Sequence, residues 1–538
     1  MPAPAGVALG TLDSLPPGTM REVGTPGGPV LLLRRTDGSV HALGARCPHA
    51  GAKLADGLLC GDRLLCPWHQ GVFRVSDGAM LDPPPLDGLP RYEVRVEDGT
   101  IRALLPAGDL PEAAPAARAT AGNDPRVFIV LGAGAAGAAA AEALREAGFG
   151  GRVLLISAEP YLPYDRTQLS KDHLAGSFPA GKLPLRDADH YRRLGIDTLT
   201  REVVDVEAPA RRLRFADGGT LDCDALLLAT GGVPRRPRIP GATLPGVHLL
   251  RGRGDAAALI AAATGARHAA VLGGGFIGLE AAWALRQRGL AVTVVSPEAL
   301  PLADRLGEPV ARLLASLHRR HGTTLHLGAR AFRIEPGAGG RAAELVLEDG
   351  ARVAADLFLI GAGIEPATGL LSGLATEHGA VPVDRFLRTA LPDVYAAGDI
   401  ALFPDARTGE RLRVEHWRVA MQQGRVAALN MAGRATAFDA VPFFWTAQCG
   451  LRFGYVGHAG KPDRVVVDGD LSPEAVSHGG EFIAYLIVGD TVRAAVACGR
   501  ERDMAALHEL FRLGRPPRCD APDAVPAPPL PLLREAGC

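Results

Sequence analysis

The sequence predicts a multidomain chain: a small all-β domain, two α/β doubly wound domains, and a smaller C-terminal α+β domain. Three observations carry this. Residues 1–106 read as short β-branched strands cut by turns, as in PVLLLRR, TDGS, VHALGARC and RYEVRVEDGTIRALLP. From Arg126 the pattern changes to strand, glycine turn and helix, and it does so twice, over 127–156 and 268–295. From about Val441 a shorter mixed region follows. A chain of 538 residues is too long for one core and suits about three or four domains.

Composition shifts set the boundaries. The β domain takes 1–106. AGDLPEAAPAARATAGNDP, at 107–125, reads as a disordered Ala- and Pro-rich linker. The first nucleotide domain takes 126–247 and resumes at 376–440, with the second inserted over 248–375. The C-terminal domain takes 441–514, and the Pro-rich stretch 515–538 reads as a mobile tail.

The net charge is −1, with 22% charged and 47% hydrophobic residues, so bulk charge gives no reason to expect nucleic acid or an anionic membrane as partner. The opening MPAPAGVALGTLDSLPPGTM lacks the basic region of a secretory signal, and no apolar run approaches the roughly 18–20 residues of a membrane span. A cytoplasmic location is expected. The eight cysteines are scattered, so no disulfide scaffold is expected. Lysine is rare: Lys53, Lys171, Lys182 and Lys461 stand against 54 arginines.

The strongest local signal is Cys47-Pro48-His49, followed after sixteen residues by Cys66-Pro67-Trp68-His69. Two thiolates and two imidazoles make either a zinc site or a Rieske [2Fe–2S] cluster. A Cys2His2 zinc site usually keeps Cys near Cys and His near His. A Rieske centre puts two Cys on one iron and two His on the other, so each ligand loop supplies one of each kind. Both loops here do. Cys47, His49, Cys66 and His69 are the candidate ligands, with zinc as the alternative. The surroundings CPHAGAKL and CPWHQGVF resemble the ferredoxin-type Rieske family. High-potential members carry an added disulfide and hydroxyl donors to the sulfurs; the corresponding places here hold Ala52, Trp68, Val72 and Phe73. A potential near the low end of the Rieske range, about −150 mV, is expected. Cys60, between the two loops, is expected to be a small packed residue.

VFIVLGAGAAGAAAAEALRE carries Gly132, Gly134 and Gly137 between a strand and a helix. Such glycines permit a tight turn and bring backbone N–H groups to a pyrophosphate at the helix N-terminus. Glu159, just past the next strand, is placed for a ribose. HAAVLGGGFIGLEAAWALRQRGLAVTVVSPE repeats the pattern with Gly273, Gly275 and Gly278. Ser296 stands where the acidic residue usually does, and Glu298 is two residues on. No Arg follows immediately to favour a 2′-phosphate. The expected cofactors are FAD first and NAD(P)H second, with NADH preferred.

The segments EPYLPYDRTQLSK (159–171), LLLATGG (226–232), GGGFIGLE, IGAGIEP (360–366) and VYAAGDIALF (394–403) resemble the ferredoxin and rubredoxin reductase family. With the N-terminal Rieske domain, RVEHWRVAMQQGRVAALNM and VPFFWTAQCGLRFGYVG, the chain looks most like the apoptosis-inducing-factor-like oxidoreductases, over nearly all of residues 30–515. The resemblance implies that Asp399 sits near the FAD ribityl chain. It places Arg166, Lys171, Thr230, Gly231 and Trp417 at the flavin, with a weaker implication for Gln423 and none for His416. It pairs Lys171 with Glu280. A scarce lysine kept at that place suits a tight pocket that a broad guanidinium would not enter.

No C-x4-C or C-x-x-C redox pair stands at the positions that disulfide reductases use, so thiol–disulfide chemistry is not expected, and Cys223, Cys449 and Cys498 read as small buried residues. The expected function is electron transfer from NAD(P)H through FAD to the fused cluster, then to an unknown acceptor such as an oxygenase. The linker would raise the effective concentration of the cluster domain at the flavin. The alternative is an NADH-responsive redox sensor that changes oligomeric state, with a homodimer as partner. A fused subunit of nitrite reduction is disfavoured because no sirohaem region is present.

Overall fold

The computed structural model describes residues 6–116, 122–519, 521 and 524–538. The N-terminal domain is built on a six-stranded antiparallel sheet, in the order Val7–Thr11, Thr100–Leu104, Arg91–Glu97, Val40–Gly44, Gly28–Arg34 and Thr19–Thr25. The run Val30–Leu33 is buried on both faces. Val30 and Leu32 pack with Tyr92 and Ile101, whereas Leu31 and Leu33 pack beside Cys47 and Cys66. Side chains of a strand alternate between faces, so a run without polar residues lies between two cores. A second, four-stranded sheet is inserted between Val40–Gly44 and Arg91–Glu97: Leu58–Cys60, Arg63–Leu65, Val72–Arg74 and Met80–Asp82.

Next comes a five-stranded parallel sheet in the order Ile196–Thr200, Arg152–Ser157, Val127–Leu131, Ala225–Leu228 and Val394–Ala396. Its last strand arrives from beyond a second parallel sheet, ordered Val247–His248, Leu357–Ile360, His268–Leu272, Ala291–Ser296 and Thr323–Leu327. In the first sheet the alanine-rich helix Ala135–Glu146 lies tight against the helix Trp417–Met431. A Cβ on Gly424 would run into the carbonyl of Ala136, so only glycine permits that approach.

The C-terminal sheet is antiparallel, in the order Phe443–Gln448, Leu451–Gly457, Thr491–Cys498, Phe482–Val488 and Arg464–Gly469, with the helix Glu501–Arg512 packed against it. No helix among the described residues is long and apolar enough to cross a membrane.

Three expectations need correction. Cys60 is not merely a packed residue: it is bonded to Cys538, 478 positions away. The stretch 515–538 is not a loose tail in its described parts. Its helix Pro529–Glu535 packs on Glu501–Arg512, Leu533 is buried, and Thr491 pairs with Arg518 in a β-bridge. The linker 107–125 is partly docked. Leu110 N–H donates to Gly27 O at 2.8 Å, and Gly88 and Ala114 form a bridge; residues 117–121 lie outside the described residues.

The cluster domain is therefore more than tethered. Leu58, Leu65 and Val72 share one apolar core with Val441, Phe443, Leu507 and Leu533 of the C-terminal region. Each such side chain, when fully buried, contributes about 1.5–3 kcal/mol. Beside this core runs a charged network. Arg418 is fully buried; its Nε donates to Pro83 O at 2.9 Å, and it faces Asp82 Oδ2 at 3.9 Å. Gln422 donates to Asp82 Oδ1 at 3.0 Å, and Arg63 pairs with Glu509 at 3.1 Å.

Candidate functional site

Two hairpin loops carry the ligand candidates. In the first, Cys47 N–H donates to Ala52 O at 2.9 Å, and Gly51 N–H donates back to Cys47 O at 2.8 Å, with Gly51 at φ +77°. In the second, Cys66 N–H donates to Gly71 O at 2.8 Å, and Gln70 takes the left-handed φ of +56°. The loops bring the four side chains together as two like pairs. The thiols of Cys47 and Cys66 share a hydrogen bond, and the Nδ1 atoms of His49 and His69 lie 3.0 Å apart.

This arrangement tests the two readings of the motif. A single zinc ion needs all four ligands converging on one point. A diiron centre needs a thiolate pair for one iron and an imidazole pair for the other. The residues fit the cluster. The Cys66 thiol is pulled below its ordinary value by the Cys47 thiol and by the backbone N–H groups of Trp68 and His69, whereas Cys47 is pushed up by Cys66 and by burial. His69 is held well below its ordinary value by burial, then by His49, Arg452 and Lys171. Both rings therefore stay neutral, the form that ligates metal.

The imidazoles face the rest of the molecule. The Trp445 ring centroid is 4.2 Å from that of His69 and 6.3 Å from that of His49. Arg452 lies over the Trp68 ring at 4.5 Å. The charges of Lys171 and Asp165 reach His69 and His49 respectively.

Lys171 leads to the next group. Its Nζ donates to Glu280 Oε2 at 2.8 Å and to Thr167 O at 3.0 Å. Ser170 Oγ donates to the same Oε2 at 2.5 Å, and Thr446 Oγ1 donates to Glu280 Oε1 at 2.6 Å. Glu280 is 3% exposed, on the helix Phe276–Gln287.

Both glycine loops have the form of a dinucleotide cradle. Gly132 and Gly273 take φ of +109° and +121°, which favour glycine, and Gly134 and Gly275 cap their helices with open space above. Gly137 and Gly278 lie so close to the carbonyls of Gly132 and Gly273 that a Cβ has no room. At the first loop, Glu159 accepts from Arg166 and from the Tyr164 hydroxyl, the latter at 2.6 Å. Arg166 Nη1 donates to Arg251 O at 3.0 Å, and Arg251 pairs with Asp399 at 2.8 Å. Gln423 Oε1 accepts from Gly398 N–H at 2.8 Å, fixing the turn before Asp399. Gly231, at φ +70°, adjoins Arg251, and the Thr230 hydroxyl donates to Ala367 O at 2.8 Å. Trp417 opens the helix Trp417–Met431, half-buried against the first α/β core. At the second loop, Ser296 Oγ donates to Glu298.

Residue patterns had not singled out Trp445, Arg251 or Thr446. The first two sit in segments whose resemblance was noted or whose charge was unremarkable. Only the fold sets them beside His69, Asp399 and Glu280. His416, without an expected role, is half-buried with its ring 4.3 Å from Phe444, and desolvation holds it down to about 3.

The pyridine nucleotide-disulphide oxidoreductase family matches residues 126–424, and the Rieske [2Fe-2S] domain matches residues 6–93. This chain belongs to that oxidoreductase family. It carries a Rieske domain in front of the reductase, and its cofactors are FAD, NAD(P)H and a [2Fe–2S] cluster. The oxidoreductase is 35% identical over 513 residues to the human (Homo sapiens) apoptosis-inducing factor 3, covering 93% of this chain and 82% of that one. It is 38% identical over 368 residues to the 5,5'-dehydrodivanillate O-demethylase ferredoxin reductase subunit of Sphingobium sp., covering 68% and 88%. Among solved structures, a ferredoxin reductase from Rhodopseudomonas palustris overlays with a TM-score of 0.70 at 30% identity, covering 77% of the oxidoreductase and all of that chain.

Proposed function

We propose that this chain is an NADH-preferring reductase that sends electrons through FAD into its own Rieske cluster and on to a separate acceptor such as an oxygenase. The observation that carries the reading is Trp445, which meets the cluster imidazoles on the side where Lys171 and Glu280 lie. Reductase components of oxygenase systems among the relatives support the acceptor class. In this reading residues 126–247 with 376–440 hold FAD, 248–375 hold NADH, and 441–514 form the seat of the cluster domain.

When bound, FAD takes a hydride's two electrons together and releases them singly, as a one-electron cluster requires. Gly132, Gly134 and Gly137 offer backbone N–H groups to its pyrophosphate, with Glu159, Arg166, Thr230, Gly231, Asp399 and Trp417 around the remainder. Gly273, Gly275 and Gly278 do the same for NADH. Glu298, oriented by Ser296, binds the adenosine ribose and repels a 2′-phosphate. Lys171, anchored on Glu280, sets a fixed positive charge at the reacting end.

Cys66→Ala separates the two modules. The cluster's EPR signal is expected to vanish, with FAD content and NADH–ferricyanide activity retained. Loss of that activity with flavin still bound would overturn the two-module reading. The similarity to apoptosis-inducing factor 3 lends only weak support to a second reading, an NADH-responsive sensor. Slow turnover with NADH-driven dimerisation in sedimentation distinguishes it.

A further inference from the structure

Glu280 receives donors from two directions. Ser170 and Lys171 reach Oε2; Thr446 reaches Oε1. The Thr446 side continues inward. Gln448 Nε2 donates to Thr446 Oγ1 at 2.9 Å, and the Gln448 Oε1 atom lies 3.0 Å from His318 Nε2. The uncharged groups are all buried: Ser170 is 2% exposed, Thr446 2%, and Gln448 and His318 0%. They come from three separate places, the segment before the helix Asp172–Ala175, the strand Phe443–Gln448 and the helix Glu308–Arg320.

The direction of each hydrogen bond is forced. The Thr446 hydroxyl is 2.6 Å from a carboxylate oxygen, so its proton points to Glu280 and its lone pair faces Gln448. Gln448 must then turn its NH2 to Thr446 and its oxygen to His318. His318 must therefore carry its proton on Nε2. Its Nδ1 has no partner, which suits a bare lone pair far better than a stranded N–H. Burial holds His318 down to about 4, and the nearby charge of His321 acts in the same sense. Every donor in the line thus points one way and ends on Glu280, which is left as an acceptor only.

The geometry points to His318, Gln448 and Thr446 as positioning residues: a one-way hydrogen-bond line that holds the Glu280 carboxylate, and through it Lys171, in one orientation at the flavin. This rests on the reading of Lys171 and Glu280 as the flavin-side pair. Lys171 is the charged group in contact with Glu280, and His321 is the titratable neighbour of His318.

Infrared spectroscopy of the purified holoprotein tests the line. The carboxylate stretching band of Glu280, whose position responds to the hydrogen bonds its oxygens accept, is identified by its loss in Glu280→Gln. In Thr446→Val, which withdraws the donor to Oε1, that band is expected to shift measurably. His318→Phe, which frees Gln448 to turn over, shifts it less but in the same direction. His318→Gln, which restores an N–H donor, returns it towards the wild-type position. Equal band positions in wild type and Thr446→Val would sink the line, as would identical behaviour of His318→Phe and His318→Gln. The rate of flavin reduction by NADH reads the underlying pair separately. A shifted band with an unchanged rate upholds the line and removes Lys171 and Glu280 from the flavin's chemistry.

Discussion

The indole of Trp445 lies 4.2 Å from the His69 imidazole, ring centre to ring centre, and joins the reductase to the iron–sulfur domain by an aromatic contact. Trp445→Leu keeps an apolar side chain and removes the ring. Electron transfer from flavin to cluster, followed by stopped-flow absorbance, is expected to slow by about tenfold, equivalent to about 1.4 kcal/mol on the barrier. NADH–ferricyanide activity is expected to persist. An unchanged cluster reduction rate would show that the indole is only packing.

Glu509 sits in the charged seam between domains. Burial would raise its carboxyl, but the hydrogen bond and charge of His508, with Arg63 and Arg512, outweigh it and hold it at about 2. A carboxyl depressed in the fold contributes stability above its ordinary value of about 4.3, and loses it as pH falls towards the folded value. Melting temperature is expected to hold between about pH 7 and 5, then to drop from about pH 4.5 to 2, a loss of up to about 3 kcal/mol from this group. Glu509→Gln should cost about 2–3 kcal/mol at pH 7, below the usual buried-pair penalty because Arg63 and Arg512 retain water, and should flatten the acid limb.

Cys538→Ser opens the bond to Cys60. The described part of 515–538 should become a target for limited proteolysis, with about 2–4 kcal/mol of stability lost. Flavin-to-cluster transfer should be unaffected, because the shared apolar core and Arg418 still seat the domain. A large fall in that rate would mean that the bond, and not the core, sets the geometry.

Glu298→Ala removes the carboxylate that Ser296 orients. Preference for NADH over NADPH, as a ratio of kcat/KM, is expected to fall by about tenfold, or about 1.4 kcal/mol. No change in the ratio would place the discrimination elsewhere.

What the sequence made legible was local. Cys47 with His49 and Cys66 with His69 each fall within one loop, and each glycine loop is a single strand–turn–helix. What it hid was the choice of distant partners. Nothing in TAQ announces that Thr446 will meet Glu280, 166 residues earlier, or that Gln448 will meet His318. Nor does any local pattern bring together Arg63, Asp82, Arg418 and Glu509, which meet only where three domains close around them. The stretch 515–538 misled through its prolines. Pro529 and Pro531 lie in the first turn of a helix, where no backbone N–H is needed, so they start that helix and do not break it.

The burial of His69 against Trp445 has a consequence for traffic through the protein. In a freely diffusing iron–sulfur carrier, one exposed tip can serve in turn for loading and for unloading. In the proposed reading that tip is turned to the internal donor, with His69 8% exposed against Trp445. Any outside recipient must approach from another quarter, and Ala50 and Gly51, exposed on the first ligand loop, mark the nearest open rim. In that reading the carrier is a one-directional conductor with separate entry and exit.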